Sequence, residues 1–133
     1  MARIAHLALP VRPEDLDIAT TRLERYFGPV AVRPSLSARV RAVWLDFDGT
    51  GLHLIASANA PIIPYGGTWS PHVCFQVASI DRLASRMHDD GIECWPAGTL
   101  PDRVQLWIKC APSIVVEAQE ADSERRSSAP SSC

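Results

Sequence analysis

Apolar and polar residues alternate along most of this chain with a period of two, and at two places the period lengthens to that of a helix. The run RIAHLALPV (3–11) reads as a strand with Ile4, His6 and Ala8 on one face and Leu7 and Leu9 on the other. In RPEDLDIATTRLERYFG (12–28), Leu16, Ala19, Leu23, Tyr26 and Phe27 fall at helical spacing. Pro13 and the acidic residues suit that helix's start, and Gly28 suits its end. Three strands are predicted next, PVAVRP (29–34), ARVRAVWLDF (38–47) and GLHLIAS (51–57), the last two joined by the turn DGTG (48–51). ANAPIIPYGGTW (58–69), with its prolines and Gly-Gly pair, reads as a linker.

The order then starts again. SPHVCFQVAS (70–79) is a strand with His72, Cys74 and Gln76 on one face. SIDRLASRMHDDG (79–91) is a helix with Ser79 as N-cap, an Ile80, Leu83, Ala84 and Met87 stripe, and Gly91 at its end. Strands follow at IECWPAG (92–98), RVQLWIKC (103–110) and SIVVEAQ (113–119). Register supports a repeat: His6 matches His72 and Asp15 matches Asp81 at an offset of 66, and His53 matches Glu117 at an offset of 64. The chain is therefore expected to be an α+β protein of two tandem βαβββ modules (3–57 and 70–119) in one domain (1–120), forming a curved mixed sheet around a central cleft. ADSERRSSAPSSC (121–133) is expected to be a flexible tail.

The repeat places four ligand-type side chains in equivalent positions. His6 and His72 lie on the first strand of each module, His53 and Glu117 on the last, and alternation turns all four away from the helices. One histidine in an apolar strand is more often a hydrogen-bonded core residue than a ligand. The set of four points to a divalent metal, because imidazole and carboxylate are its usual N and O ligands and a buried Glu117 without a cation or donor is costly. Cys74 shares a face with His72 and is a candidate ligand or nucleophile, and Arg39, Arg41 and Arg103 are candidates to hold an anionic substrate. His88, off the apolar stripe of its helix, reads as a surface residue.

Thirteen basic and fifteen acidic residues, spread along 133, form no basic stripe, which argues against nucleic acid. Apolar runs are too short to cross a bilayer, and the N-terminus does not read as a signal peptide, so a soluble, cytoplasmic protein without a membrane partner is expected. The four cysteines show no C-x-x-C spacing and are expected to be reduced. Four tryptophans are many for one small core, so some are expected to line a cavity or a subunit contact.

In IAHLALPV, GLHLIAS, SPHVCFQVASID and RVQLWIKCAPSIVVEAQ the chain resembles the vicinal oxygen chelate superfamily, which includes glyoxalase I, fosfomycin-resistance thiol transferases, extradiol dioxygenases and bleomycin-binding proteins. The resemblance covers residues 3–119. It implies metal ligands at His6, His53, His72 and Glu117, a proton-transfer role for Glu117, and one divalent transition metal per site (Fe, Ni, Co, Mn or Zn). It also implies a homodimer, with modules paired within one chain or exchanged between two. The implied function is a metal-dependent isomerase, lyase or thiol transferase acting on a small oxygenated metabolite; the alternative is a metal-free protein that sequesters a drug. CAPSI (110–114) departs from the Asp-Pro-x-Gly-Asn turn usual there, so this turn must be built differently. Histidine at position 53, where glyoxalase I usually has a glutamate or glutamine, counts against true glyoxalase I.

Overall fold

The computed structural model describes residues 1–34, 39–64, 70–97 and 104–121. The first module comprises β1 (His6–Val11), a 3-10 turn (Pro13–Asp15), α1 (Leu16–Phe27), β2 (Ala31–Pro34), β3 (Ala42–Phe47) and β4 (Thr50–Ala56). The second comprises β5 (Cys74–Val77), α2 (Ile80–Asp89), β6 (Cys94–Pro96), β7 (Gln105–Ala111) and β8 (Ile114–Glu120). Each module forms a four-stranded mixed sheet, ordered β1-β4-β3-β2 and β5-β8-β7-β6, as the βαβββ repeat leads one to expect. In both sheets the first strand runs parallel to the last and the other neighbours are antiparallel. That pattern follows from a helical crossover after the first strand and a meander after it.

Local chemistry sets the element ends. Gly28 takes φ 55° and its N–H donates to the Glu24 carbonyl at 3.2 Å, closing α1 in the left-handed conformation that costs glycine least. Ser79 Oγ accepts from the Arg82 N–H at 3.3 Å and caps α2. Asp48 and Gly49 both have positive φ (51° and 86°) between the paired residues Phe47 and Thr50, which makes the β3–β4 hairpin a two-residue turn of the type that matches strand twist.

α1 lies between the two sheets, and α2 packs on β6, β7 and β8 of its own sheet. Leu16, Ala19 and Leu23 of α1 and Leu83 and Met87 of α2 share one core with Leu45, Leu52 and Leu54 of the first sheet and Leu106, Ile108, Val116 and Ala118 of the second. Burying each of the larger aliphatic side chains is worth about 1.5–3 kcal/mol. α1 packs against β7 of the other module as well as against β3 and β4 of its own.

Polar contacts pin α1 to the second module at both ends. At its start, buried Asp15 Oδ2 accepts from the Ser113 N–H at 2.9 Å and from Ser113 Oγ at 2.6 Å, while Ser113 Oγ accepts from the Arg12 N–H at 2.8 Å. Arg22 donates to the Cys110 carbonyl at 2.9 Å. At its end, Arg25 forms two hydrogen bonds of 3.0 Å to Asp90, Tyr26 Oη donates to the same carboxylate, and Phe27 stacks on Phe75 at 4.1 Å between centroids.

These contacts answer the question posed by CAPSI. Ala111 pairs with Ile114 across Pro112 and Ser113, and neither turn residue has positive φ. A register irregularity between Lys109 and Ala111 and the hydrogen bonds to Asp15 do the shaping instead. The start of the 58–69 segment is also tied down: Ala60 is buried, and the Ile63 N–H donates to the Pro112 carbonyl at 2.8 Å. Residues 65–69 and the 122–133 part of the expected tail lie outside the described residues.

The hydrogen bond from Tyr26, with help from Arg25, holds the Asp90 carboxyl below its ordinary range. A depressed carboxylate stabilises the fold above its unfolded pKa, and that contribution disappears as pH falls through the folded value. Asp90→Asn is therefore expected to lower the urea midpoint at neutral pH, with the gap from the parent closing as pH drops below the carboxylate range.

Candidate metal-binding residues

The first sheet holds one pair of the predicted ligands. β1 and β4 run parallel with Ala8 opposite His53 and His6 opposite Gly51, and Trp44 of β3 lies directly across from His53. The Trp44 ring touches both histidines, at 5.0 Å from His6 and 5.1 Å from His53 between centroids, and Arg33 sits over its face at 5.8 Å. Gly51 makes this possible: a Cβ there would fall 2.5 Å from Trp44 Cζ2 and 3.1 Å from His6 Cβ. His53 Nε2 is buried and has no hydrogen-bond partner among the described residues.

The second sheet holds the other pair. His72 stands two residues before β5, which starts at Cys74 and not at the predicted residue 70, and Glu117 is central in β8. His72 Nε2 lies 3.1 Å from Glu117 Oε2, and His72 Nδ1 lies 2.7 Å from the Ser70 carbonyl. Gln105 Nε2 donates to Glu117 Oε1. Trp107, directly opposite Glu117, meets the His72 ring edge-on at 4.7 Å, and exposed Cys74 sits beside Glu117 on the neighbouring strand. The two sheets thus use one design, a tryptophan facing the candidate ligand on the last strand and touching the histidine of, or just before, the first.

The hydrogen bonds dictate the chemistry of this second pair. A backbone carbonyl only accepts, so His72 Nδ1 must carry a proton. A neutral ring then presents a lone pair from Nε2 to a carboxylate that also only accepts, and two acceptors 3.1 Å apart need a cation between them or on one of them. The requirement is met by a proton, giving an imidazolium, or by a metal ion. A histidine whose second nitrogen is held by a carbonyl and a carboxylate held by an amide are the outer contacts that orient metal ligands. The donor set fits a divalent ion in its chemistry. Among the described residues, however, no three His, Cys, Asp or Glu side chains converge, and the four predicted ligands stand as two pairs. Leu52 and Leu54 are in the core while His53 alternates with them, and Val116 and Ala118 are in the core while Glu117 alternates with them. Both ligand faces therefore turn away from the shared core.

Other predicted residues are placed plainly. Arg103 and Trp69 lie outside the described residues. Arg41 is engaged with Asp17 and the Pro13 carbonyl beside α1, and His88 is exposed on α2. Trp95 lies across from Trp107 in a small cluster on the outer face of the second sheet. Trp44, Trp107 and Gln105 were not picked out as site residues. For Gln105 the available signal was a polar residue two positions before Trp107, hence on its face of the strand.

The cysteines differ in environment. Burial pushes the Cys110 thiol up to about 12 and raises the half-buried Cys94 thiol, while Cys74 is exposed. Among the described cysteines, alkylation of the native protein by iodoacetamide is expected to modify Cys74 first, Cys94 slowly and Cys110 only after unfolding. Peptide mass mapping against time reads this order directly.

No protein-family model matches the sequence, and no curated protein matches it. Solved structures do resemble it. The fosfomycin resistance protein FosX from Listeria monocytogenes, complexed with Mn(II) and sulfate, has TM-score 0.68 at 17% identity over 95% of this chain and 98% of that one. TnmS3, an antibiotic binding protein from Streptomyces sp. CB03234, has TM-score 0.66 at 12% identity over 92% and 98%. Lactoylglutathione lyase from Agrobacterium tumefaciens has TM-score 0.63 at 20% identity over 91% and 95%. The chain has the two-module, glyoxalase-like fold of the vicinal oxygen chelate proteins.

Proposed function

We propose that this protein is a metal-dependent enzyme of the glyoxalase-like kind, acting on a small oxygenated metabolite. The observation that carries the reading is the His72–Glu117 pair, two acceptors that need a cation, backed by outer contacts from Ser70 and Gln105. His72 and Glu117 would hold the ion, with His6 and His53 completing the set. A divalent ion bound there would supply several kcal/mol of stabilisation to negative charge developing on neighbouring substrate oxygens.

The chain's own residues have separable tasks. Gln105 holds Glu117 Oε1 and so orients Oε2 toward His72 and the ion, and we assign proton transfer to the Glu117 carboxylate. Trp107 limits the tilt of the His72 ring, and Cys74 lies where it would touch a substrate beside Glu117. Because both ligand faces turn away from the shared core, we assign the union of the two pairs to a homodimer, in which the His6 and His53 of one protomer face the His72 and Glu117 of its partner.

Elemental mass spectrometry on untagged protein tests both parts. About one transition metal per chain is expected. Co-expressing a His6→Ala, His53→Ala chain with a His72→Ala, Glu117→Gln chain is expected to leave about one metal per mixed dimer, since only an exchanged site retains all four ligands. No metal after incubation with iron, nickel, cobalt, manganese or zinc overturns the enzyme reading. The second reading, sequestration of an antibiotic or similar drug, then stands on Trp44 and Trp107, which supply flat apolar surface on the same faces, and on the likeness to TnmS3.

A further inference from the structure

A cavity of about 580 Å³ opens at the seam between the modules, and none of His6, His53, His72 and Glu117 lines it. Its walls come from the C-terminal end of α1, the β3–β4 hairpin, β5 and the first turns of α2. Three half-buried phenylalanines line it. Phe27 and Phe75 stack at 4.1 Å with 17° between their planes, and Phe47 meets Phe75 edge-on at 4.9 Å. The charge is one-sided among the described residues: Arg82 and Arg86 line the cavity against the single acid Asp48 on the hairpin.

The two arginines are in different states. Arg86 donates to the Arg25 carbonyl at 3.1 Å and lies 5.3 Å above the Tyr26 ring. The Arg82 guanidinium makes no hydrogen bond or ion pair among the described residues, and its backbone N–H is already taken by Ser79. The volume falls within the range of small-molecule pockets, which favour domain seams and combine apolar walls with a few polar groups. A planar guanidinium beside stacked aromatic rings selects for a carboxylate attached to a flat ring system.

We infer that this seam cavity is a second binding site, separate from the His and Glu residues, for a small aromatic acid whose rings pack on Phe27, Phe47 and Phe75 and whose carboxylate pairs with Arg82. The site draws on both modules, so its occupant stabilises their docking by linkage. It does not depend on the metal-enzyme reading.

Titration of the full-length protein with 1-naphthoate, followed by backbone amide NMR, tests the assignment. Saturable binding is expected, with the largest shifts at Phe47, Asp48 and Phe75–Ser79 and small ones at His53 and Glu117. Arg82→Ala is expected to weaken naphthoate by about tenfold, with the uncharged 2-naphthalenemethanol nearly unaffected. Val30→Asp, at an exposed position on the rim, is expected to weaken naphthoate as well. Absence of binding up to ~1 mM overturns the proposal, since that limit lies beyond a useful small-molecule affinity. So do shifts centred on the ligand-bearing sheet faces, or equal affinity in parent and Arg82→Ala.

Discussion

Asp15→Ala is expected to destabilise the fold by about 2–5 kcal/mol, a large share of the stability of a domain this size. The carboxylate accepts from both the N–H and the hydroxyl of Ser113, and both residues are buried, so truncation leaves two donors of the β7–β8 turn without an acceptor or access to water. The turn has no left-handed residue to hold its shape independently, which makes its anchoring depend on Asp15. Urea unfolding followed by far-UV circular dichroism measures the loss. Glu14→Ala is the control: its contact with Arg12 is exposed and 3.9 Å long, so a change within about 0.5 kcal/mol is expected. Equal effects from the two substitutions would remove Asp15 from its place as the link between the modules.

Glu117→Gln is expected to weaken metal binding by more than about 100-fold, beyond the 10–100-fold that loss of an outer contact alone produces. The same substitution is expected to leave the metal-free protein as stable as the parent or more so. A glutamine amide at that position keeps an oxygen to accept from Gln105 and turns an N–H toward His72 Nε2, so the two facing acceptors become a donor and an acceptor without any cation. Equilibrium dialysis against Mn²⁺ or Zn²⁺ and thermal melts in chelator separate the two effects. Unchanged metal affinity would exclude Glu117 as a ligand. A marked loss of stability without metal would show that the pair is held by a proton as an ion pair, because that arrangement needs the carboxylate.

How much of this was legible in the sequence depends on the range of the interaction. The helices were readable because their signals are local: Leu16, Ala19 and Leu23 recur at helical spacing, Ser79 caps, and Gly28 and Gly91 terminate. The strand faces were readable too, since a period of two separates His53 from Leu52 and Leu54 without knowledge of what lies opposite. His72 shows the limit of that reasoning, as it reaches Glu117 from just before β5. Asp15, Ser113 and Arg22 act across 88 to 101 positions of chain, through contacts that no spacing rule encodes. Trp44 and Trp107 stood out by number, but their places beside the candidate ligands follow from sheet register, which depends on which strands pair. The gathering of all four ligand-type residues was inferred from the repeat, and the repeat has no information about whether two modules share one sheet.

Helix α1 and the 3-10 turn before it arise in the first copy of the repeat, yet their side chains contact β7, the β7–β8 turn and Asp90 of the second. A single module of about 55 residues would lose those partners and expose one side of its helix, at a size where burial barely offsets chain entropy. The stretch that repeats and the stretch expected to melt as one are therefore different objects: the sequence pattern counts two units in this chain, and the shared core counts one.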